Sequence, residues 1–522
     1  MARPGFVLEV DERTPPLVVH SGATLAHSRF PLGTRVVYPA DPVAGLATTG
    51  STGLQGRIAE AVATPTGSAA LADRLRPGMK LTITFTDVSA PLPRMRRPDV
   101  RGRVVEHVLG LAAAAGVDDV ELVVANGLNR KPTIDELEWI LGERVVRSFA
   151  RAGAKNSMGA GGGLTCHDAE DPDNLTVIGR AGSGAEVEVN ARVAGSDLVV
   201  HVVAATEPDH GGWDSLLTGL GSAATLARRF GRGGTADELA RVLADTLPVF
   251  SVEAALNTDV FPAATRLLGK REWEWNIRDQ ATFVGLRGAL TVAPNRFQHA
   301  AFDRSGAPYG VIAVAAGDPA RTQQQTRVAL TGQHRVEVEG QVDVMVTGVG
   351  PFSPDSVDLP LNPLAAAAMV ARSYARNTGT PFVRDGGALI VFHPATSGAA
   401  GRRQPATPDF LTDVLSQTTD ADQIAAEFEP KFAADPWYRH LYRDAGAYHA
   451  LQPFHQWYRL EALRSALCDI VWVGTDRASV DLLGFRAAST LADALEIVST
   501  DVGRAPSIGY LHGPPSALID VT

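Results

Sequence analysis

Cysteine is nearly missing from this 522-residue chain: Cys166 and Cys468 are the only two, and they lie far apart. A disulfide framework is thereby excluded as the organising device, and reduced thiols of a cytosolic protein are the plain expectation. Long basic runs are missing too. Arg94-Met95-Arg96-Arg97 is the densest, prolines flank it, and the formal net charge is −10. Such a surface lacks the stripe of cations that tracks a phosphate backbone, so no nucleic-acid partner is expected. No apolar run reaches the roughly 20 residues that span a bilayer. Met1-Ala2-Arg3-Pro4-Gly5 carries no apolar signal segment. The expectation is a soluble cytoplasmic protein with no membrane partner. Catalytic signatures are sparse as well. There is no H-E-x-x-H and no G-x-S-x-G elbow, and the glycine-rich segment 159–163 lacks the lysine and hydroxyl of a P-loop. The sequence assigns neither a metal ligand set nor an oligomeric state.

What is present is hydrophobic patterning. The chain is 45% hydrophobic and too long for one ordinary domain, so two or three cores are expected. Apolar runs of strand length fall at 81–85, 120–125, 198–204, 252–256, 311–315, 342–347, 388–392, 470–473 and 508–511. Helical patterns lie between several of them. Residues 100–115 place Val104, Val105, Val108, Leu109 and Ala112 at helical spacing. Residues 133–150 open with Thr133-Ile134-Asp135-Glu136, a capping box. Residues 359–374 are alanine-rich and favour a helix. Strands alternating with helices make the fold class α/β, with mostly parallel sheets. A domain change is expected near residue 250, dividing the chain into 1–250 and 251–522. The first ~75 residues read as a β-rich lead-in to the first domain. Segments 232–234 and 398–405 read as surface loops, and 269–288 as irregular.

The chemistry-bearing residues cluster at strand ends, where open α/β sheets hold ligands. Asn126-Gly127-Leu128-Asn129-Arg130 follows the run 120–125 directly. A second loop, Cys166-His167-Asp168-Ala169-Glu170-Asp171, sets a histidine beside three acids. His167 is either an acid/base group oriented by Asp168 or a histidine that steadies the loop through backbone bonds. His201, inside a strand, reads as a core residue. His210 follows that strand's end and is better placed for a ligand. No histidine then occurs until His299. Late in the chain, His440, His449 and His455 fall in an aromatic stretch, 438–458, that also holds Arg443. Such a stretch lines a pocket for a polar anion or packs a domain interface.

The order of these segments resembles the nickel-dependent lactate racemase superfamily, in its longer and more divergent members. The resemblance covers about residues 75–230 well and the second half more loosely. Its landmarks are Asp87 after a strand, G-x-x-R-x-x-T-x-x-E-L from Gly127 to Leu137, the His167-Asp168 loop, Asn190, Asp197 and Gly211-Gly212. In the second half they are 342–346, Leu361-Asn362-Pro363 and 385–390. The resemblance implies two α/β domains with a cleft between them. It implies a racemase or epimerase of a 2-hydroxy acid or sugar acid, using a nickel-pincer nucleotide fixed to a lysine. On that footing His167, Asp168, His210, Asn129 and Arg130 become catalytic candidates. Asp87, Gly211, Gly212 and Asp214 become cofactor-side candidates. Asn362, His393, Arg443, His449 and His455 become substrate-side candidates.

The departures are equally specific. Asn129 stands where the family has histidine, and an amide cannot act as a base near neutral pH. Asp87-Val88-Ser89-Ala90-Pro91 lacks the family's arginine. Asp214 stands where the tether lysine is expected, and no histidine follows Thr225 where nickel would be bound. The alanine-rich helix lacks the family's substrate-binding lysine. Two readings follow: an isomerase of the superfamily, or a divergent member without the nickel-pincer site that acts as a binding protein, a degenerate subunit or an enzyme of different chemistry.

Overall fold

The structure, a computed structural model, describes residues 2–47, 53–88, 93–149, 163–231, 236–294, 305–350, 362–395, 403–514 and 517–522. Each strand-length apolar run forms a strand, as expected of apolar segments in mostly parallel sheets that other layers cover. Every residue of Leu198–Ala205 and Val249–Leu256 is buried.

Six strands build the first sheet, in the order Val311–Gly317, Val249–Leu256, Leu198–Ala205, Lys80–Thr86, Asp119–Ala125, Leu164–Cys166. All neighbours are parallel except Val311–Gly317, which runs antiparallel at one edge. In chain order this is the doubly wound pattern, whose direction of winding reverses between Lys80–Thr86 and Leu198–Ala205. Helix Val100–Ala114 covers the sheet with Val104, Val105, Val108 and Ala112, and Asp99 caps its start. The capping box of Thr133 and Glu136 forms as the sequence predicts. The single helix expected over 133–150 is instead broken at Gly142 (φ 84°) into Ile134–Leu141 and Glu143–Phe149.

The second sheet has seven strands, in the order Phe6–Glu9, Arg35–Tyr38, Ile508–Leu511, Val342–Gly348, Val383–Phe392, Asp469–Val473, Arg486–Ala488. Only Phe6–Glu9 is antiparallel to its neighbour. The two sheets therefore do not divide the chain at residue 250. Val311–Gly317 returns to the first sheet, and two strands of the β-rich lead-in, Phe6–Glu9 and Arg35–Tyr38, pair into the second rather than the first. Backbone pairing decides this: Gly509–Leu511 offers a parallel edge that Arg35–Val37 completes.

Two further expectations change. Residues 269–288 are irregular only at first. From Ile277 they form the helix Ile277–Val292, started by a capping box of Asn276 and Asp279. The alanine-rich helix runs Pro363–Ala375, with proline at its first turn where no backbone N–H is needed. The glycine-rich residues 159–162 and the loop residues 232–234 and 398–402 lie outside the described residues, as do Ser89-Ala90-Pro91 and Leu361. Among the described residues no helix is long and apolar enough to cross a membrane.

Candidate functional site

The winding reversal of the first sheet opens a cleft of about 730 Å³ between the two sheets' layers. Its floor is made by strand ends: Thr86 and Asp87, Ala125 to Asn129 (Gly127 apart), and Val203, Ala204 and Thr206. Its far wall comes from the second half, through Ala371, Arg372 and Ala375 on helix Pro363–Ala375 and Gln452, His455, Gln456 and Arg459 on helix Gln452–Ala466. Of the residues singled out in the sequence, Asp87, Asn129, His210, Gly211, Asp214 and His455 reach this cleft.

Asp87 is buried and accepts a hydrogen bond from Asn129 Nδ2 at 3.1 Å. Arg101 fixes the strand end beside it. Its Nη1 donates to the Thr86 and Asp87 carbonyls at 2.9 and 2.5 Å, while Nε and Nη2 pair with Asp99 at 3.0 and 2.7 Å. The loop that carries Asn126 and Asn129 turns through Gly127 (φ 50°), where a Cβ would lie 2.0 Å from the Thr218 carbonyl oxygen. That is a second reason for glycine there.

His210 meets Thr206 Oγ1 at 3.3 Å through Nδ1 and Glu207 Oε2 at 3.4 Å through Nε2. Burial, and then the nearby Arg372 charge, lower its pKa to about 4, so the ring is neutral near pH 7 and offers hydrogen bonds rather than strong basicity. Glu207, Asp209 and His210 bring ligand atoms within 4.8 Å of one another, but Glu207 is already ion-paired with Arg376.

Behind the cleft, Gly211 (φ 103°) leads into helix Gly212–Leu220. A Cβ on Gly211 would sit 2.4 Å from the Glu253 carboxylate. Glu253 is buried and accepts from Gly212 N at 2.8 Å, Thr326 Oγ1 at 2.9 Å and Ser251 Oγ at 3.2 Å. Burial outweighs these bonds and raises its pKa from 4.5 to about 7. A raised acid pKa means the folded state holds the proton more tightly. Its contribution is full below pH 4.5 and is lost as pH rises through 7. Glu253→Gln removes this dependence. Between pH 6 and pH 8 the wild type should lose about 1 kcal/mol relative to the variant. Parallel urea titrations at the two pH values would show it, and identical pH trends would refute it.

Asp214, in the first turn of the same helix, is held by Arg229 at 2.6 and 2.9 Å, a two-point pair across the cleft wall. Phe230 beside it is flanked by the Arg229 and Arg459 guanidinium groups at 5.2 and 5.6 Å and by the His455 ring at 5.0 Å. Four cleft-lining side chains are sealed from solvent with a polar atom that has no hydrogen-bond partner: Thr86 Oγ1, Asn126 Oδ1, His455 Nε2, and both amide atoms of Gln456.

The remaining candidates sit elsewhere, and each has a structural occupation. His167 is fully buried, its Nε2 2.9 Å from the Gly221 carbonyl and its Nδ1 3.4 Å from Asn190 Nδ2, and burial lowers its pKa to about 4. These contacts tie the ring to the Gly221 carbonyl and the Asn190 side chain. Arg130 is locked on Glu136 at 2.9 and 2.6 Å and so completes the capping box. Asp168 pairs with Lys131 at 2.9 Å and Arg443 at 3.3 Å, and His449 Nε2 lies 2.8 Å from Glu170 Oε1. These contacts bind the His167 loop to helix Pro436–Asp444, so Arg443 and His449 pack an interface. Tyr442 completes it, donating its hydroxyl to the Gly127 carbonyl at 2.7 Å and accepting from Ala169 N at 3.1 Å. Asn362 is a helix cap, accepting from Ala365 N at 2.7 Å and donating to Gln404 at 2.5 Å. His201 is a core histidine as expected, satisfied by Thr84 at 2.7 Å and Ser215 at 3.2 Å.

His393 follows a strand end of the second sheet, but the hairpin of Leu17–Ser21 and Thr24–Ser28 fills that edge. Ser21 bridges to Val349, and Gly22 N donates to the Val349 carbonyl at 2.7 Å. His393 is left buried against the edge of Trp472.

Several cleft residues escaped the sequence reading. Arg372 and Gln456 follow hydrophobic helical positions, so only helix phase could have marked them. Arg101 and Glu253, which lie behind the cleft, escaped too, since a charge in sequence does not show its burial.

Against known proteins, residues 48–229 match the lactate racemase N-terminal domain family. The chain shares its fold with the lactate racemase apoprotein from Thermoanaerobacterium thermosaccharolyticum, at 14% identity and a TM-score of 0.61, over 97% of this chain and 99% of that one. A protein from Thermotoga maritima is similar at 13% identity and a TM-score of 0.46, over 91% and 99% of the two chains. No curated protein matches it in sequence.

Proposed function

We propose that this chain, whose residues 48–229 match the lactate racemase N-terminal domain family and whose fold is that of a lactate racemase apoprotein, is a racemase- or epimerase-type protein whose cleft takes a 2-hydroxy acid or sugar acid. The observation that carries this is the set of unpartnered polar atoms on Thr86, Asn126, His455 and Gln456 around one strand-end cleft. Each buried atom without a partner costs about 1–3 kcal/mol, so a ligand rich in hydroxyl and carboxylate oxygens completes the site. Because the floor belongs to one sheet and the wall to the other, a hinge movement gives such a ligand access to these sealed atoms.

Arg372, on the wall, supplies the positive charge for the carboxylate. Asp87 and Asn129, hydrogen-bonded to each other, line the cleft where a hydroxyl would sit, and neutral His210 lines the same cleft as a hydrogen-bond partner for it. A second reading, a member that binds without isomerising, is favoured by one feature. Asn129 replaces the histidine of the resembled motif and already spends its amide on Asp87.

Calorimetric titration with a panel of 2-hydroxy acids and sugar acids tests the proposal. At least one acid should bind, and Arg372→Ala should weaken it about 30-fold, the value of one charged hydrogen bond. Absence of binding across the panel would sink it. Chiral chromatography of the bound acid after incubation separates isomerase from binder.

A further inference from the structure

We infer that this cleft anchors nothing covalently, because the Asp214–Arg229 pair occupies the place that the resembled family gives to a tether lysine. The inference deepens the reading above by sharing its cleft, and three observations carry it.

The first is chemical. Asp214 offers a carboxylate, and Arg229 a guanidinium that stays protonated, so neither can supply the amine that a lysine tether needs. The pair is also built in. Asp214 lies in the first turn of helix Gly212–Leu220, where a negative charge is favoured, and Arg229 in the last turn of helix Ala223–Phe230, where a positive one is.

The second is the supply of lysine, which is five in 522 residues. No lysine lines the cleft among the described residues. Lys131 is engaged by Asp168 and Lys270 by Asp279, and Lys431 lies over the Phe428 ring at 4.9 Å. Lys80 begins its strand, at the opposite end from the cleft. Lys155 lies outside the described residues.

The third is packing. The segment after Thr225, where the resemblance puts a nickel ligand, supplies Phe230 instead. Two guanidinium groups and the His455 ring enclose it, an arrangement that cation–aromatic attraction stabilises. The residues present thus do not fit a lysine-anchored nickel-pincer nucleotide, and any occupant of the cleft is held without a bond to a lysine there.

The test is the intact mass of the denatured full-length chain, purified from a host that makes the nickel-pincer nucleotide. A superfamily member that carries the tether is expressed in parallel and must show its adduct. The expected result is the bare mass of 55.1 kDa. An adduct that survives denaturation, on Lys155 or any other residue, overturns the inference. Hydroxy-acid binding is measured on the same preparation. Its loss would sink the function proposed above and leave the mass result standing, and an adduct with binding intact would do the reverse.

Discussion

Acidification from pH 7 to pH 5 should unfold this protein cooperatively. Five fully enclosed histidines drive the effect. Burial lowers His20 and His455 to about 3, and His167, His201 and His393 to about 4, from an ordinary 6.5. A depressed histidine pKa means that the folded state refuses a proton which the unfolded chain accepts. The stability these groups contribute is therefore complete above pH 6.5 and is lost as pH falls toward 4. At pH 5 each group costs on the order of 2 kcal/mol, against which the raised pKa of Glu253 works in the opposite direction. Far-ultraviolet circular dichroism against pH should show a transition centred between about pH 5 and 6, with a slope corresponding to several protons. A chain still folded at pH 4.5 would show that these imidazoles reach water without unfolding.

Asp99→Ala should be the most damaging single substitution near the cleft. Asp99 and Arg101 are both buried, and the carboxylate meets Arg101 through Nε, Nη2 and the backbone N–H. Removing it strands a guanidinium in the core and uncaps helix Val100–Ala114, at a loss of about 3–5 kcal/mol. Exposed pairs such as Arg144–Glu106 are worth far less. The double variant Asp99→Ala, Arg101→Met should recover much of the loss, because no charge is then left unpaired. Arg101 also clamps the Thr86 and Asp87 carbonyls, so both variants should weaken ligand binding at Asp87 even where stability returns. Urea unfolding that places Asp99→Ala within 1 kcal/mol of wild type would refute this account.

The strands and the first cleft residues were legible because their signals are local. A buried parallel strand must be apolar on both faces, so the runs around Val120, Val199 and Val344 announce themselves. A strand-end loop follows directly, which is why the Asn126–Arg130 loop was legible, whereas Asp87 was marked only by the family resemblance. His167 misled for the same reason. A histidine beside acids carries no local mark that says whether its ring faces a cleft or, as here, the Gly221 carbonyl. Arg130 and Asn362 are similar cases, polar groups whose partners, Glu136 and Gln404, consume them.

What the sequence alone determined is the alternation of strand and helix, the capping box at Thr133 and the type of residue at each strand end, all properties of neighbours along the chain. The tertiary structure alone decided three things. It joined Arg35–Tyr38 to the last strands of the chain. It filled the second sheet's edge with the hairpin that buries His393. It brought Arg372, His455 and Gln456 over the ends of strands hundreds of residues earlier. Burial and pairing between distant segments depend on how the layers pack, and no short stretch of residues records that.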